Sequence, residues 1–140
     1  MGLVNNQDAY VKHMIWDSGQ GNIHVHNHSI GFYFMLRMPN YRGNYLSCVE
    51  HLSFKLDGIP VDNQNVTFIL NNKRFTVDSL PVLFAEYWDT NALALIEVLK
   101  DGGLSGKHEL EACMHLRYAY SAYFGVCKVV TSHCVKNLVF

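Results

Sequence analysis

The sequence predicts an all-β fold, an antiparallel β-sandwich or barrel-like single domain occupying residues 1–140. Three observations carry that expectation. Leu110, Ala112, Met114, Leu116 and Tyr118 alternate with Glu109, Glu111, Cys113, His115 and Arg117, the period-two pattern of a half-buried strand. Asp57-Gly58 and Asn71-Asn72 each stand between two alternating runs, and Asp, Asn and Gly accept the positive φ that two-residue hairpin turns require. Turn signals recur at intervals of about eight to twelve residues, which makes room for about eight short strands.

Taken in order, Tyr10 to Trp16 reads as a short alternating strand and Asp17 to Asn22 as a turn, so that a hairpin leads into His24-Val25-His26-Asn27-His28. In a strand, His24, His26 and His28 would share one face. Phe32, Phe34 and Leu36 alternate with Tyr33, Met35 and Arg37 in a strand buried on at least one side, and Pro39 ends it because proline has no N–H for a central ladder. Pro39 to Gly43 is then a polar corner that displays Tyr41 and Arg42 between two anchored strands, the second starting at Tyr45 to Val49.

His51 to Leu56 and Ile59 to Val61 pair around Asp57-Gly58, and Val66 to Leu70 and Lys73 to Val77 pair around Asn71-Asn72. Asp78 to Pro81 is a turn or short helical start, followed by the aromatic stretch Val82 to Trp88. Ala92 to Leu99 satisfies two patterns: Ala, Leu and a closing Lys and Gly favour a helix, whereas the alternation suits a strand buried on both faces. Gly102 to Lys107 is a flexible turn, Tyr118 to Phe124 an aromatic segment bending at Gly125, and Cys127 to Phe140 a last strand whose apolar end should be docked.

Hydrophobic residues make up 49% of the chain and charged residues 16%, with a formal charge of -1. So little charge beside eight Tyr, eight Phe and two Trp suits either a subunit interface or a thick aromatic core. The eleven Lys and Arg cluster nowhere beyond Lys73-Arg74, which argues against a nucleic-acid surface. The N-terminus has neither a basic start nor an apolar run, and no apolar stretch approaches the roughly 20 residues of a membrane helix, so a cytoplasmic protein without membrane contact is expected. Cys48, Cys113, Cys127 and Cys134 form no Cys-x-x-Cys pair and read as free thiols.

Three histidines on a face invite a metal, but no carboxylate follows His28 until Glu50, so the usual His-x-His and glutamate arrangement is not met and no metal is expected on this chain. There is no nucleophile elbow, phosphate loop, dinucleotide fingerprint or metalloprotease helix, and no catalytic residue is assigned.

The ordered pieces Arg37-Met38-Pro39-Asn40-Tyr41-Arg42-Gly43, Leu46-Ser47-Cys48-Val49-Glu50, Leu56-Asp57-Gly58, Pro60-Val61, Phe75-Thr76-Val77 and Gly102-Gly103-Leu104 with Gly106 and His108 resemble the small β subunit of bacterial C-glycoside deglycosidases. Asn40 stands where relatives often carry an aromatic, and the turn after Gly103 lacks a proline. The resemblance implies a β-sandwich-like subunit paired with a larger barrel-type α subunit that holds a divalent metal, manganese being expected, while this chain binds no cofactor of its own. It also implies cleavage of the carbon–carbon bond between a 3-oxo-glucosyl group and a flavonoid or isoflavonoid aglycone, a lyase step, and it favours the strand for Ala92 to Leu99. Pro39, Asn40, Tyr41 and Arg42 are the candidate interface and active-site-shaping residues. The other reading of the corner is architectural, and the other reading of the chain is a free-standing sandwich module that binds a sugar or small ligand.

Overall fold

Strands dominate because the sequence alternates in short runs that turn residues interrupt. The computed structural model describes residues 6–118 and 128–140. Chain order is α1 (Asn6–Lys12), β1 (Gly21–Val25), β2 (His28–Arg37), β3 (Asn44–Tyr45), β4 (Val49–Leu56), β5 (Ile59–Pro60), β6 (Val66–Leu70), β7 (Lys73–Thr76), β8 (Tyr87–Trp88), β9 (Leu93–Leu99), β10 (Lys107–Tyr118) and β11 (Lys128–Val139). One sheet has the order β1-β2-β9-β6-β7 and the other β11-β10-β4-β5, while β3 and β8 form a small ribbon. All named pairings are antiparallel. The result is the sandwich-like all-β fold that the alternation predicts.

Phe32, Phe34, Leu36, Phe68, Ala94 and Ile96 of the first sheet belong to the same buried cluster as Leu52, Phe54, Leu110, Ala112, Met114 and Leu116 of the second. Phe34 meets Phe54 edge to face with centroids 5.4 Å apart, which joins the two sheets at their centre. β9 lies between β2 and β6, so its backbone groups are paired on both sides, and this long-range pairing outweighs the helical propensity of its Ala and Leu. Only one face of β9 is fully buried, through Ala94, Ile96 and Val98; Leu93 and Leu99 are exposed on the other, so the two-sided burial expected of it is corrected.

The expected turns form at Asp57-Gly58 and Asn71-Asn72, whose φ angles are all positive. Leu138 is buried and the ring of Phe140 meets Phe32 edge to face, so the apolar end of the chain is docked. The expected bend at Gly125 and residue Cys127 lie outside the described residues.

Several expectations are corrected. Tyr10 to Trp16 is not a strand: α1 runs to Lys12, and Met14 and Ile15 then bury fully beside β2, with Arg37 N–H donating to Met14 O at 2.7 Å. A seven-residue helix has little stability alone; here the Cys134 thiol of β11 donates to Lys12 O at 3.5 Å, so docking on a distant strand helps hold it. The second strand of the corner starts at Val49, because Leu46–Cys48 form a 3-10 turn after the short β3. The short helical start expected at Asp78 to Pro81 forms as the 3-10 turn Val77–Val82, so the strand expected to reach Val77 ends at Thr76, and in the aromatic stretch that follows only Tyr87 and Trp88 are paired. Among the described residues, no helix is long and apolar enough to cross a membrane.

Candidate functional site

The corner after β2 is built by two opposed demands. Met38, Pro39 and Asn40 are buried, while Tyr41 and Arg42 are exposed. Pro39 takes the chain out of the sheet, and pairing of Asn44 with Trp88 and Tyr45 with Tyr87 fixes its return. Gly43 is needed at that return: a Cβ there would sit 2.7 Å from the Trp88 carbonyl oxygen. Below the ribbon, Trp88 is fully buried, donates its ring N–H to Ala92 O at 2.9 Å and meets Phe68 edge to face. The loop before β8 is tied in by Leu46 N–H to Glu86 O at 2.8 Å and Ser47 N–H to Leu83 O at 3.2 Å.

Four polar residues are buried among the described residues, Asn40, Asn44, Ser47 and Ser132, and the first three belong to this corner. The Asn44 amide donates to Arg42 O at 3.2 Å. Asn40 is 0% exposed, and neither its Oδ1 nor its Nδ2 has a hydrogen-bond partner. An amide buried this way costs about 1–3 kcal/mol, so the corner carries a local destabilisation that the surrounding core outweighs.

The outer surface of the corner is aromatic. Tyr41 and Tyr45 are each 49% exposed, Tyr87 is 46% exposed and Phe84 is 70% exposed. Tyr45 and Tyr87 are cross-strand partners with ring centroids 5.2 Å apart. The Arg42 guanidinium lies 5.7 Å from the centre of the Tyr41 ring, and Arg37 stands 5.5 and 5.6 Å from the Tyr10 and Trp16 rings. The nearby carboxylates are paired, Glu86 with Lys73 at 2.7 Å and Glu50 with Arg117 at 3.1 Å. Guanidinium, phenol and open aromatic faces can bind a partner or an aromatic group, and they offer no paired general acid and base.

Of the four candidate residues, Tyr41 and Arg42 are on that surface, and Pro39 and Asn40 lie beneath it. Tyr45, Phe84 and Tyr87 share that surface without a local signal of their own: the excess of aromatics is visible in the sequence, but the pairing that gathers them is long-range. The three histidines are not on one face: His26 and Asn27, with φ of 50° and 64°, form the turn between β1 and β2. His28 pairs with Asp101 at 3.0 Å and His24 reaches Ser29 Oγ at 3.5 Å. Among the described residues, no group of three or more His, Cys, Asp or Glu side chains is placed to hold a metal.

A second cluster forms at the other end of β4. His108 Nδ1 is 2.7 Å from Asp57 Oδ2 and its Nε2 is 3.0 Å from Ser105 O, so each ring nitrogen faces an acceptor and the imidazolium alone satisfies both. The hydrogen bond to Asp57 raises the His108 pKa above its ordinary value. That same hydrogen bond, and then the Glu109 N–H at 2.9 Å, lowers the Asp57 pKa. Beside it, Asn22 accepts from Leu104 N–H at 2.9 Å and donates to Leu104 O at 2.8 Å, which fastens the turn after β9 to β1.

Residues 10–120 match the family described as C-glycoside deglycosidase beta subunit. A protein of Eubacterium cellulosolvens named C-glycoside deglycosidase beta subunit is 31% identical over 102 residues, covering 71% of this chain and 69% of that relative. The chain belongs to the C-glycoside deglycosidase beta subunit family. Most of its resemblance-bearing residues gather at two ends of the sandwich, while Phe75 and Thr76 lie on β7 and Val77 in the turn after it. Arg37 to Gly43 and Leu46 to Glu50 build the aromatic corner, whereas Leu56 to Gly58, Gly102 to Leu104 and His108 build the ion-paired turn cluster. The eight residues of β4, Val49–Leu56, hold these ends roughly 20 Å or more apart.

Proposed function

We propose that this chain is the β subunit of a heteromeric C-glycoside deglycosidase and that its Pro39 to Gly43 corner docks on a barrel-type α subunit, where it shapes the mouth of the active site. The observation that carries this reading is the exposed array of Tyr41, Arg42, Tyr45, Phe84 and Tyr87, raised on a corner whose Asn40 amide is buried without a partner. Aromatic and Arg side chains are enriched at interface centres, and residues held at a local cost cluster where binding uses them.

In this reading the substrate is a 3-oxo-glucosyl C-glycoside of a flavonoid or isoflavonoid type. The ketone acidifies the C2 proton, a base of the α subunit removes it, and the bond from C1 to the aryl carbon breaks as the C1–C2 double bond forms. Before that bond breaks, an acid of the α subunit protonates the aryl carbon and the phenol ring takes its keto form; the electron pair of the broken bond then restores the aromatic ring, and the aglycone leaves as a phenolate that takes up a proton from water. A divalent metal of the α subunit, manganese in this proposal, supplies charge stabilisation for the enolate. The β chain contributes no acid or base; it holds Tyr41 and Arg42 in place and keeps water out at the rim. The assembly works in the cytosol.

Co-expression with the barrel-type neighbour, size exclusion with light scattering and an assay on a 3-oxo-C-glucoside test the proposal. A joint peak that releases aglycone only with both chains present is the expected result. Arg42→Ala and Tyr41→Ala should reduce turnover or assembly at least tenfold; variants that assemble and react like wild type would remove the corner from the proposal. A lone chain that forms no complex and binds simple glucosides would replace the whole reading with a sugar-binding module.

A further inference from the structure

We propose that the cavity between the β4–β5 hairpin and the end of β9 is a second ligand site, which takes an uncharged aromatic molecule of two joined rings bearing a hydroxyl group. The site goes beyond the docking corner and lies at the opposite end of β4. Here β5 has only two residues, so the second sheet stops short and leaves the last residues of β9 uncovered. The space between them measures about 480 Å³ and is open to solvent on one side. That volume is in the range of small-molecule sites, roughly 300–1,000 Å³.

The lining is apolar in its depth. Phe32, Val98 and Leu104 form the floor and are buried, while Leu56 and Val61 are partly buried on the walls. Ile59 at the mouth is 70% exposed and is the cross-strand partner of Leu56, so a large aliphatic side chain flanks the concavity with little of this chain packed over it among the described residues. A flat ring system would bury it without displacing a polar group.

The rim decides against charged ligands. Lys100, His108, Asp57 and Asp62 are its titratable groups. Asp57 is hydrogen-bonded to His108, Asp62 caps the following turn by accepting from Gln64 N–H at 2.9 Å, and Lys100 makes no ion pair among the described residues. Lys100 and the two carboxylates put charges of both signs on the rim, so neither an anion nor a cation gains from entering an apolar floor. A hydroxyl, which both donates and accepts, can use Lys100 on one side or a carboxylate on the other.

The walls are set before any ligand arrives. Asp57 N–H donates to Glu109 O at 2.8 Å, Val61 N–H to Phe54 O at 2.9 Å and Lys100 N–H to Ile30 O at 2.9 Å. Binding would order little additional chain, which favours affinity in a small site.

Titration of 4-hydroxybiphenyl into the full chain, followed by calorimetry and amide chemical shifts, tests the site. The expected result is saturable one-to-one binding with shifts centred on Leu56 to Asp62 and Val98 to Leu104. Biphenyl-4-carboxylate and the ammonium of 4-aminomethylbiphenyl should each bind at least tenfold more weakly. Ile59→Glu, at an exposed position that leaves the core intact, should weaken 4-hydroxybiphenyl at least tenfold with unchanged melting temperature, whereas Val129→Glu on β11 should have no effect. Absence of saturation, equal binding by the Ile59→Glu variant, equal or tighter binding of a charged probe, or loss of the site on assembly with the α subunit would each overturn the proposal, the last by showing that the cavity receives the partner.

Discussion

Replacing Asn40 by leucine exchanges a buried carboxamide for a hydrocarbon of the same branched outline and the same number of heavy atoms. In the wild-type chain both amide atoms lie in the core without hydrogen-bond partners, at 0% exposure. Removing them recovers about 1–3 kcal/mol of desolvation, provided that the slightly larger methyl groups fit the space the amide occupies. Unfolding entropy is about 2.1 cal/mol/K per residue, or about 0.3 kcal/mol/K over this chain, so the melting temperature of Asn40→Leu should rise by about 3–10 °C. Calorimetric melting and a urea titration of the purified chain read this directly. If the amide is retained for the partner, the same variant should assemble more weakly with the α subunit, a trade of function for stability. A melting temperature equal to or below that of wild type, at unchanged urea slope, would show that the buried amide carries no net penalty and would refute the reasoning.

His108 should titrate above the ordinary imidazole value of 6.5 in an NMR titration, and Asp57→Asn should return it towards that value. Because its folded value is raised, the stability from His108 is fully present below pH 6.5 and is lost as pH rises through the folded value; that from Asp57, whose value is lowered, is present above 3.8 and is lost as pH falls through its folded value. The difference in stability between wild type and Asp57→Asn should therefore be largest between these two pH values and shrink above them, as a urea midpoint series would report. Gly103→Ala should destabilise the chain by about 1–3 kcal/mol in the same urea assay, because φ is +65° there and the added Cβ would lie 2.6 Å from Asn22 Oδ1. Phe34→Ala should lower stability by about 3–5 kcal/mol in that assay, since Phe34 is fully buried at the join between the two sheets and meets Phe54.

Period-two alternation and turn chemistry were legible without any coordinates. The strands around Phe34, Leu52, Phe68 and Met114, and the turns at Asp57-Gly58 and Asn71-Asn72, follow from side-chain periodicity and from φ preferences that act over a few residues. So does the corner at Pro39, which ends a strand by lacking an N–H, and so does the outward placement of Tyr41 and Arg42. Other features depended on partners far along the chain. α1 docks on β11, more than a hundred residues away, and Tyr10 to Trp16 alternates too briefly to distinguish helix from strand. Histidine at the first position of a hairpin turn is a weak local signal, so His24 to His28 looks like continuous strand in the sequence, while the turn at His26-Asn27 separates the three histidines. The clustering of Tyr45 with Tyr87, the burial of Asn40 and the ion pair of Asp57 with His108 each join residues between which the sequence carries no periodic link. Local sequence determines most of the strands and the turns at Asp57-Gly58 and Asn71-Asn72, because those preferences are intrinsic to a few residues, whereas β9 and α1 depend on distant partners. Only the tertiary structure decides which side chains meet at the ends of the sandwich, because that depends on how two sheets pair and pack.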